Sequence, residues 1–222
     1  MSRILGIPDP HEPYCKEGYL DFCEDMYRAW DCDGVVFLGD IIDSHAISFH
    51  AKHPEADGAL AEYIRTKEQV KKWHKAFPNA KVCIGNHDER IVRLAESVNI
   101  PKRFLRDYNE IWETPTWEWD FSHTIDDVYY FHGTGYGGMH PAFNAARQMS
   151  MSVVMGHCHS AGGIKWLVNP NKRWFGMDVG CGIDDKAVAF AYGRHMKKRS
   201  VISCGVVIDG VPYFEVMPLE DY

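Results

Sequence analysis

The chain has 222 residues, of which 45% are hydrophobic and 25% are charged, so it is long enough and apolar enough to bury a large core. Its net charge of -7 disfavours a protein that holds duplex nucleic acid across a broad basic surface. The seven cysteines have no CxxC spacing, and no apolar run reaches the length of a membrane span, which argues against a disulfide framework, a thiolate zinc site and a membrane partner. Because the N-terminus also lacks the apolar core of a signal peptide, we expect a cytoplasmic protein.

The first half of the chain alternates predicted strands and helices. Short apolar runs rich in β-branched residues predict strands at 3–8, 34–39 and 80–85. Apolar residues at helical spacing predict helices at 18–31, 59–77 and 90–98. Strands that alternate with helices are typical of βαβ units, in which the strands run parallel.

The second half contains more predicted strands than helices. Strands are predicted at 116–121, 127–133 and 152–156, with one short helix at 141–149 that begins at a proline. From Gly163 onward every predicted element is a strand, and these strands are 163–168, 173–180, 187–193, 200–208 and 212–218. The last two are joined by a DGV turn, and we expect this C-terminal group to form a second sheet. Neither a repeat nor a linker interrupts the chain, which favours one domain over residues 1–222.

The segment VVMGHCHSAG at residues 153–162 places two histidines at the end of an apolar run. Alternate side chains of an extended segment face the same way, so His157 and His159 can reach one point while Cys158 turns away. A metal centre would use that arrangement, although an HxH pair on its own is more often two polar histidines at a strand end. Partners elsewhere in the chain decide between these interpretations.

Polar side chains follow five of the predicted strands at the point where each strand ends. They are Asp9 and His11, Asp40 and Asp43, Asn86 with His87 and Asp88, His132, and His157 with His159. Each cluster alone has a structural explanation, such as a capped turn or a buried histidine with a hydrogen bond. Parallel strands gather their carboxyl ends at one edge of a sheet, where ligands bind, so five such clusters indicate a shared ligand. We therefore predict a metal site.

In chain order these clusters read DPH, GDIID, GNHD, FHG and GHCH. The series resembles that of the calcineurin-like metallophosphoesterases, and in particular phage and bacterial phosphoesterases related to repair nucleases and dinucleoside polyphosphate hydrolases. The motifs span residues 9–159, about two thirds of the chain. The resemblance implies an α/β fold, an αββα sandwich of two mixed β-sheets flanked by helices, with a two-metal site at the C-terminal ends of the strands.

The resemblance also implies a role for each residue of these motifs. One metal ion is implied to be held by Asp9, His11 and His159, the other by Asn86, His132 and His157, and Asp40 is implied to bridge the two. His87 is implied to be a catalytic histidine that binds no metal, and Asp43 to orient it, with Asp88 the weaker candidate for that role. Manganese is the common activator in the family, and the mixed oxygen and imidazole ligands also suit iron, zinc or nickel.

The residue types agree with hydrolysis of a phosphate ester. Two divalent cations carry four positive charges, whereas Asp9 and Asp40 supply only two negative charges, so the site stays net positive and attracts phosphate. The two ions lower the pKa of a bridging water, so that a metal-bridging hydroxide can attack near neutral pH. An imidazolium at His87 can then protonate the departing alkoxide.

The residues of the loop after Asp43 indicate which class of substrate the protein binds. The protein phosphatase branch of the family has an arginine after its GDxxD motif, whereas this chain has Ser44 and His45, which argues against that branch. The mouth of the predicted metal site includes His45, Phe49 and His50. An aromatic ring between basic side chains can stack there on a nucleic-acid base. The alternative is that Phe49 packs inward and the histidines are merely exposed.

Three functions remain open on the sequence. The favoured one is a phosphodiesterase or nuclease that acts on nucleotides or single-stranded nucleic acid. A phosphomonoesterase that acts on a protein or a small molecule is the main alternative. A binding scaffold that has lost catalysis is disfavoured, because all the ligand positions and His87 are present.

Overall fold

Two β-sheets packed face to face form the centre of the fold, and helices cover their outer faces. The computed structural model of the chain describes residues 2–49, 55–187 and 199–218. Its helices are α1 (Tyr19–Ala29), α2 (Ala59–Ala76), α3 (Arg90–Ser97), α4 (Tyr108–Trp112) and α5 (Pro141–Met149), with 3₁₀ turns at His45–Ile47 and Lys102–Phe104. None of the helices within the described residues has the length and apolar character that crossing a bilayer requires.

The first sheet has the strand order β11-β10-β1-β2-β3-β4. Strands β1 to β4 run parallel, and β10 and β11 add an antiparallel hairpin at the β1 edge. Its strands are β1 (Arg3–Ile7), β2 (Gly34–Phe37), β3 (Lys81–Cys83), β4 (Glu118–Asp120), β10 (Ser203–Ile208) and β11 (Val211–Val216).

The second sheet has the strand order β5-β6-β7-β9-β8. Strands β6, β7 and β9 run parallel, whereas β5 and β8 pair antiparallel at the two edges. Its strands are β5 (Ser122–Ile125), β6 (Val128–Phe131), β7 (Ser152–Met155), β8 (Gly162–Val168) and β9 (Arg173–Val179). Both sheets are mixed, as predicted.

The alternation of side chains along each strand explains the layers. In β2, Val35 and Phe37 pack beneath α1 and α2 with Trp73, whereas Val36 faces the second sheet and packs with Met177. On the far side, α5 packs on β7 and β9 through small residues such as Ala142 and Ala146. Successive strand residues therefore bury opposite faces, which confirms the predicted αββα sandwich.

The prediction for the C-terminal strands was wrong in part. Strands β10 and β11 belong to the first sheet rather than the second, because β10 pairs antiparallel with β1 from Arg3 opposite Ile208 to Gly6 opposite Gly205. The predicted DGV turn is present, with Asp209 and Gly210 in the left-handed conformation that a two-residue hairpin needs. Strand β5 was not predicted. Of the strand predicted at 187–193, residues 188–193 lie outside the described residues.

Candidate metal centre

The predicted site residues meet because five strands end at the same edge of the sandwich. Asp9 and His11 follow β1, Asp40 and Asp43 follow β2, Asn86 and His87 follow β3, His132 follows β6, and His157 and His159 follow β7. Strands β1 to β3 are parallel in one sheet and β6 and β7 are parallel in the other, so each sheet brings its carboxyl ends to this edge.

One group of donor atoms consists of Asp9, His11 and His159. Their ligand atoms all lie within 4.8 Å of one another. His11 Nε2 lies 3.2 Å from His159 Nε2, and Asp9 Oδ1 lies 3.5 Å from the same nitrogen of His159. Two imidazole nitrogens and a carboxylate oxygen that converge in this way can share one cation.

The second group consists of Asp40, His132 and His157, with Asn86 beside them. The ligand atoms of the first three also lie within 4.8 Å of one another. His132 Nε2 lies 3.2 Å from Asp40 Oδ2, 3.1 Å from His157 Nδ1 and 3.0 Å from Asn86 Oδ1. The structure therefore brings together all three residues predicted for the second ion, and places Asp40 with them.

Asp40 stands between the two groups. Its Oδ2 atom lies 3.6 Å from His11 Nε2 in the first group and 3.2 Å from His132 Nε2 in the second. Its other oxygen accepts a 2.7 Å hydrogen bond from the backbone N–H of His87. One carboxylate oxygen held between two sets of donors is the geometry that a bridging ligand requires.

Hydrogen bonds behind two of the histidines fix which nitrogen faces the cluster. His11 Nδ1 donates to Asp43 Oδ1 at 2.7 Å, and His132 Nδ1 donates to the Leu38 carbonyl at 2.8 Å. In both rings Nε2 is the nitrogen that faces the donor cluster. Such outer partners are how proteins orient imidazole ligands of metals.

The backbone at four candidate ligands is left-handed. The φ angles are 43° at Asp9, 50° at His11, 47° at Asp40 and 65° at His157. Residues other than glycine rarely adopt this conformation, which costs on the order of 1–3 kcal/mol each and persists where the surrounding structure enforces it. Four of the twelve non-glycine residues with positive φ in the described part of the chain are therefore candidate ligands.

Two glycines make room for the candidate carboxylate ligands. A Cβ atom on Gly85 would lie 2.2 Å from Asp40 Oδ1, and one on Gly156 would lie 1.9 Å from Asp9 Oδ2. His157, which follows Gly156, donates its backbone N–H to both oxygens of Asp9 at 3.1 and 3.0 Å. The glycines of the GNHD and GHCH motifs therefore let backbone approach the carboxylates closely.

Burial and charged neighbours shift the pKa values of the ionisable groups in the cluster in different directions. Although burial raises the pKa of Asp40, His132 and His87 outweigh burial and hold that pKa well below its ordinary value. Burial lowers the pKa of His132, but Asp40 and Asp9 outweigh burial and raise it to about 10. Burial and the neighbouring His87 instead lower the pKa of His11. Positive charge is therefore favoured at His132 and disfavoured at His11, although both rings lie beside Asp40.

His87 lies beside the cluster and is oriented by Asp43. Its Nδ1 atom donates to the Asp43 carbonyl at 2.8 Å and lies 3.2 Å from Asp43 Oδ1. Burial lowers the pKa of His87, but the carboxylates of Asp40 and Asp43 outweigh burial and raise that pKa above its ordinary value. The Asp43 carboxylate also bonds His11, so one acid orients both a candidate ligand and the candidate acid.

Asp88 has a different environment from Asp43. Its carboxylate accepts hydrogen bonds from the backbone N–H groups of Ile42 at 3.1 Å and Gly85 at 2.9 Å. Burial raises the pKa of Asp88 to about 7. Among its hydrogen bonds none goes to His87, so Asp88 ties the loop after β2 to the loop after β3.

Phe49 and His45, two of the residues predicted at the mouth of the site, differ in their exposure to solvent. Phe49 is 55% exposed, and the guanidinium of Arg93 lies 5.3 Å from its ring centre, so this ring does not pack inward. His45 is turned toward the site, with 11% of its side chain exposed and Nδ1 at 4.0 Å from Asp43 Oδ2. His50 lies outside the described residues.

Two further residues near the site were not predicted from the sequence. Glu62 of α2 accepts hydrogen bonds of 2.6 Å from the backbone N–H groups of His45 and Ala46, and so anchors the mouth loop. Arg90 is buried, and its guanidinium lies 3.0 Å from His87 Nε2. The spacing of three residues between His87 and Arg90 at the start of a predicted helix is the signal that could have found this contact.

Carboxylate, amide and imidazole donors at the strand ends of two packed sheets define a site suited to metal-dependent hydrolysis. The sequence profile described as Calcineurin-like phosphoesterase matches residues 2–182. The protein therefore belongs to the calcineurin-like phosphoesterase family. The family and the His and Asp clusters together suit the binding of divalent metal ions and the hydrolysis of a phosphate ester.

Solved structures share the fold at low sequence identity. A hypothetical protein of Pyrococcus horikoshii OT3 aligns with 12% identity and a TM-score of 0.53, over 99% of this chain and 90% of that chain. A metallophosphoesterase of Sphaerobacter thermophilus aligns with 16% identity and a TM-score of 0.50, over 99% and 89%. Vacuolar Protein Sorting 29 of Cryptosporidium parvum aligns with 12% identity and a TM-score of 0.48, over 97% and 96%. No match was found among curated protein sequences.

Proposed function

We propose that this protein is a phosphodiesterase or nuclease that uses two divalent metal ions, with manganese favoured, to hydrolyse nucleotides or single-stranded nucleic acid. The observation that carries the proposal is the position of Asp40 Oδ2 between two separate groups of donors. A single ion would need only one of those groups. Both groups, with one oxygen between them, suit a pair of ions.

The proposed ligand roles follow the two groups. Asp9, His11 and His159 would hold one ion, Asn86, His132 and His157 the other, and Asp40 would bridge them. Bound divalent ions would supply the Lewis acid that polarises the phosphate and activates the attacking water. The left-handed backbone at four of these positions supports the proposal, because such strain is stored where side chains must be aimed.

His87 is proposed as the acid that protonates the leaving oxygen. Its Nδ1 is committed to the carbonyl and carboxylate of Asp43, so Nε2 is the atom that would carry the transferred proton. Asp43 would hold the ring in place and stabilise its positive charge. Since Asp43 also bonds His11, the distance between the acid and the first ion would be set by one side chain.

Two residues at the mouth of the site, Phe49 and Arg93, support the proposal of a nucleotide substrate. Phe49 is exposed, and Arg93 lies over its ring. An exposed aromatic ring with an arginine beside it offers a stacking surface for a base and a positive charge for a neighbouring phosphate. A small phosphomonoester has no base to place there, so the same pair would contribute nothing to its binding.

The first experiment measures metal content and hydrolysis on one preparation. We expect two ions per chain after loading with manganese, and faster hydrolysis of bis-p-nitrophenyl phosphate than of p-nitrophenyl phosphate. Asp40→Asn should lose metal and activity together. At most one ion in the wild type would contradict the dinuclear site, and a preference for the monoester would favour a phosphomonoesterase. Two ions without turnover of either ester would favour a scaffold.

A second experiment tests whether the substrate is a nucleotide. Phe49→Ala should raise KM for a single-stranded oligonucleotide by the loss of one stacking contact, about 1–3 kcal/mol. Hydrolysis of a small aryl phosphate should be almost unchanged, because that substrate reaches only the metal centre. Phe121→Ala is the matched control, since Phe121 is 54% exposed and lies between β4 and β5 rather than in the loop after β2. Equal losses on both substrates would remove the case for a nucleotide.

A further inference from the structure

Arg90 is a buried arginine next to the candidate acid. It is the first residue of α3, and only 8% of it is exposed. One guanidinium nitrogen donates to the carbonyls of Asp43 at 2.7 Å and Ser44 at 3.1 Å. The other lies 3.0 Å from His87 Nε2. The first two bonds fix the guanidinium, and the third directs it at the reactive side of the site.

No carboxylate of the described residues pairs with this guanidinium. Its contacts are the two carbonyl oxygens and the imidazole nitrogen, and none of its three partner atoms carries a formal negative charge. A buried charge is costly unless an anion or a full set of hydrogen bonds compensates it. A guanidinium has five N–H donors, so donors remain for a further acceptor.

The contact with His87 also constrains the protonation of that ring. A guanidinium can only donate, so His87 Nε2 must accept in this arrangement. Nδ1 carries the ring's proton, because it faces the Asp43 carbonyl. In this arrangement Arg90 occupies the nitrogen that would protonate a leaving group. A productive complex therefore requires the guanidinium to move to another acceptor.

We propose that Arg90 binds the phosphate group of the substrate, and that this phosphate replaces His87 Nε2 as the acceptor of its N–H donors. The inference rests on the proposed function, which it extends by naming the residue that grips the phosphate. The planar fork of arginine suits two oxygens of one phosphate. Its release from His87 leaves Nε2 free to take up a proton from solvent water and to pass that proton to the leaving oxygen.

The test compares Arg90→Met with the wild type, both loaded with manganese. Calorimetry with inorganic phosphate should give a dissociation constant about 10- to 100-fold higher for the variant, the loss expected for a charged hydrogen-bond donor. The value of kcat/KM for bis-p-nitrophenyl phosphate should fall by a similar factor, while the metal content stays the same. Arg28→Met is the matched control, because Arg28 is exposed on α1 and pairs with Asp25.

The outcomes separate this inference from the proposed function. Unchanged phosphate affinity in Arg90→Met would overturn the role of Arg90 even if the enzyme hydrolyses esters. Loss of metal in the variant, with a lower melting temperature, would overturn it too, because Arg90 would then only hold the loop at Asp43 and Ser44. A wild type that binds phosphate without hydrolysing any ester would reject the proposed function, while the calorimetry would still test Arg90.

A measurement on the unaltered protein covers the case in which Arg90→Met does not fold. With diamagnetic zinc as the bound ion, ¹⁵N spectra of the histidine rings should show His87 Nε2 losing a hydrogen-bond donor as inorganic phosphate is added. Arg90→Lys should fold and bind phosphate with intermediate affinity, since a lysine keeps the charge without the fork. A His87 Nε2 signal that phosphate does not move would overturn the proposal.

Discussion

His87 differs from the candidate metal ligands in how its side chain is used. The nitrogens of His11 and His132 that are not hydrogen-bonded behind the ring face other donors of the cluster. His87 Nε2 instead faces Arg90 and lies 3.9 Å from Asp40 Oδ2. Although His87 belongs to one possible donor group with His11 and Asp40, this orientation sets it apart from the proposed ligands.

The substitution His87→Ala distinguishes a role in metal binding from a role in protonating the leaving group. We expect the variant to keep two metal ions, because its ring is not one of the proposed ligands, and to lose about 100-fold or more of kcat for a substrate with a poor leaving group. A substrate with a good leaving group, such as p-nitrophenol, should lose less, because that group needs less help from an acid. Metal analysis and the two kcat values check this. Loss of an ion would mean that His87 is a ligand.

A substitution at Gly156 tests whether metal binding needs the close approach of the backbone to the Asp9 carboxylate. Gly156→Ala places a Cβ atom 1.9 Å from Asp9 Oδ2, so the carboxylate must move away from its donors. We expect at least one metal ion to be lost, together with most of the activity. Gly137→Ala is the control, because a Cβ there meets nothing within 4 Å. If Gly156→Ala retains both ions and full activity, Asp9 is not held as the structure places it.

At the scale of elements, the junction of α5 and β9 carries an acid with a perturbed pKa. Asp178 of β9 accepts a 3.0 Å hydrogen bond from the backbone N–H of Ala142 in the first turn of α5. Burial raises the pKa of Asp178 to about 6, and the bond from Ala142 and the charge of Lys165 only partly oppose this. The neutral acid is therefore favoured in the folded chain relative to the unfolded one.

The sign of the resulting pH dependence follows from that shift. The folded pKa of about 6 lies above the ordinary value of 3.8, so the stabilising contribution is complete below about pH 3.8 and is lost as the pH rises through 6. Asp178→Asn removes this dependence and keeps an oxygen for Ala142. Between pH 4 and 7.5 the wild type should therefore lose about 1–3 kcal/mol of unfolding free energy relative to the variant. Urea unfolding of the metal-free proteins at both pH values measures it, and parallel pH profiles would contradict it.

At the scale of the whole molecule, the centre draws its residues from two sheets whose facing sides pack through apolar residues. Asp9, His11 and Asp40 come from the first sheet, whereas His132 and His157 come from the second. The C-terminal hairpin also pairs with the N-terminal strand, which supports our proposal that residues 1–222 form one domain. An ion bound between the sheets would link both halves of the fold.

Metal removal should therefore lower the stability of the entire fold. An ion that binds only the folded chain stabilises it by about 2.7 kcal/mol at a hundred times its dissociation constant, which corresponds to roughly 5–10 °C in Tm for a chain of this size. We expect chelation to lower the Tm and added manganese to restore it in a concentration-dependent way. Asp9→Asn should respond much less. A Tm that is independent of metal in the wild type would count against a site that spans the sheets.

Prediction from the sequence succeeded where local patterns carried the information. Apolar runs located most strands and helices, and the polar residues after five runs identified the donor cluster. These features depend on residue type, order along the chain and the direction of parallel strands, and all three can be read locally. The bridging role of Asp40 came from the family resemblance of the motifs rather than from strand positions, and the structure places its Oδ2 atom between the two groups of donors.

Other features, such as strand pairing and side-chain orientation, were decided only by the tertiary structure, because they depend on contacts between distant segments. An apolar strand such as β10 can pair in either sheet, and the packing of its two faces placed it beside β1. The shared use of Asp43 by His11 and His87, and the reach of Arg90 to the same ring, require loop conformations that no spacing specifies. The sequence by itself determined which donors meet. The folded chain determined their orientation, because hydrogen bonds and burial between remote residues set the side-chain geometry.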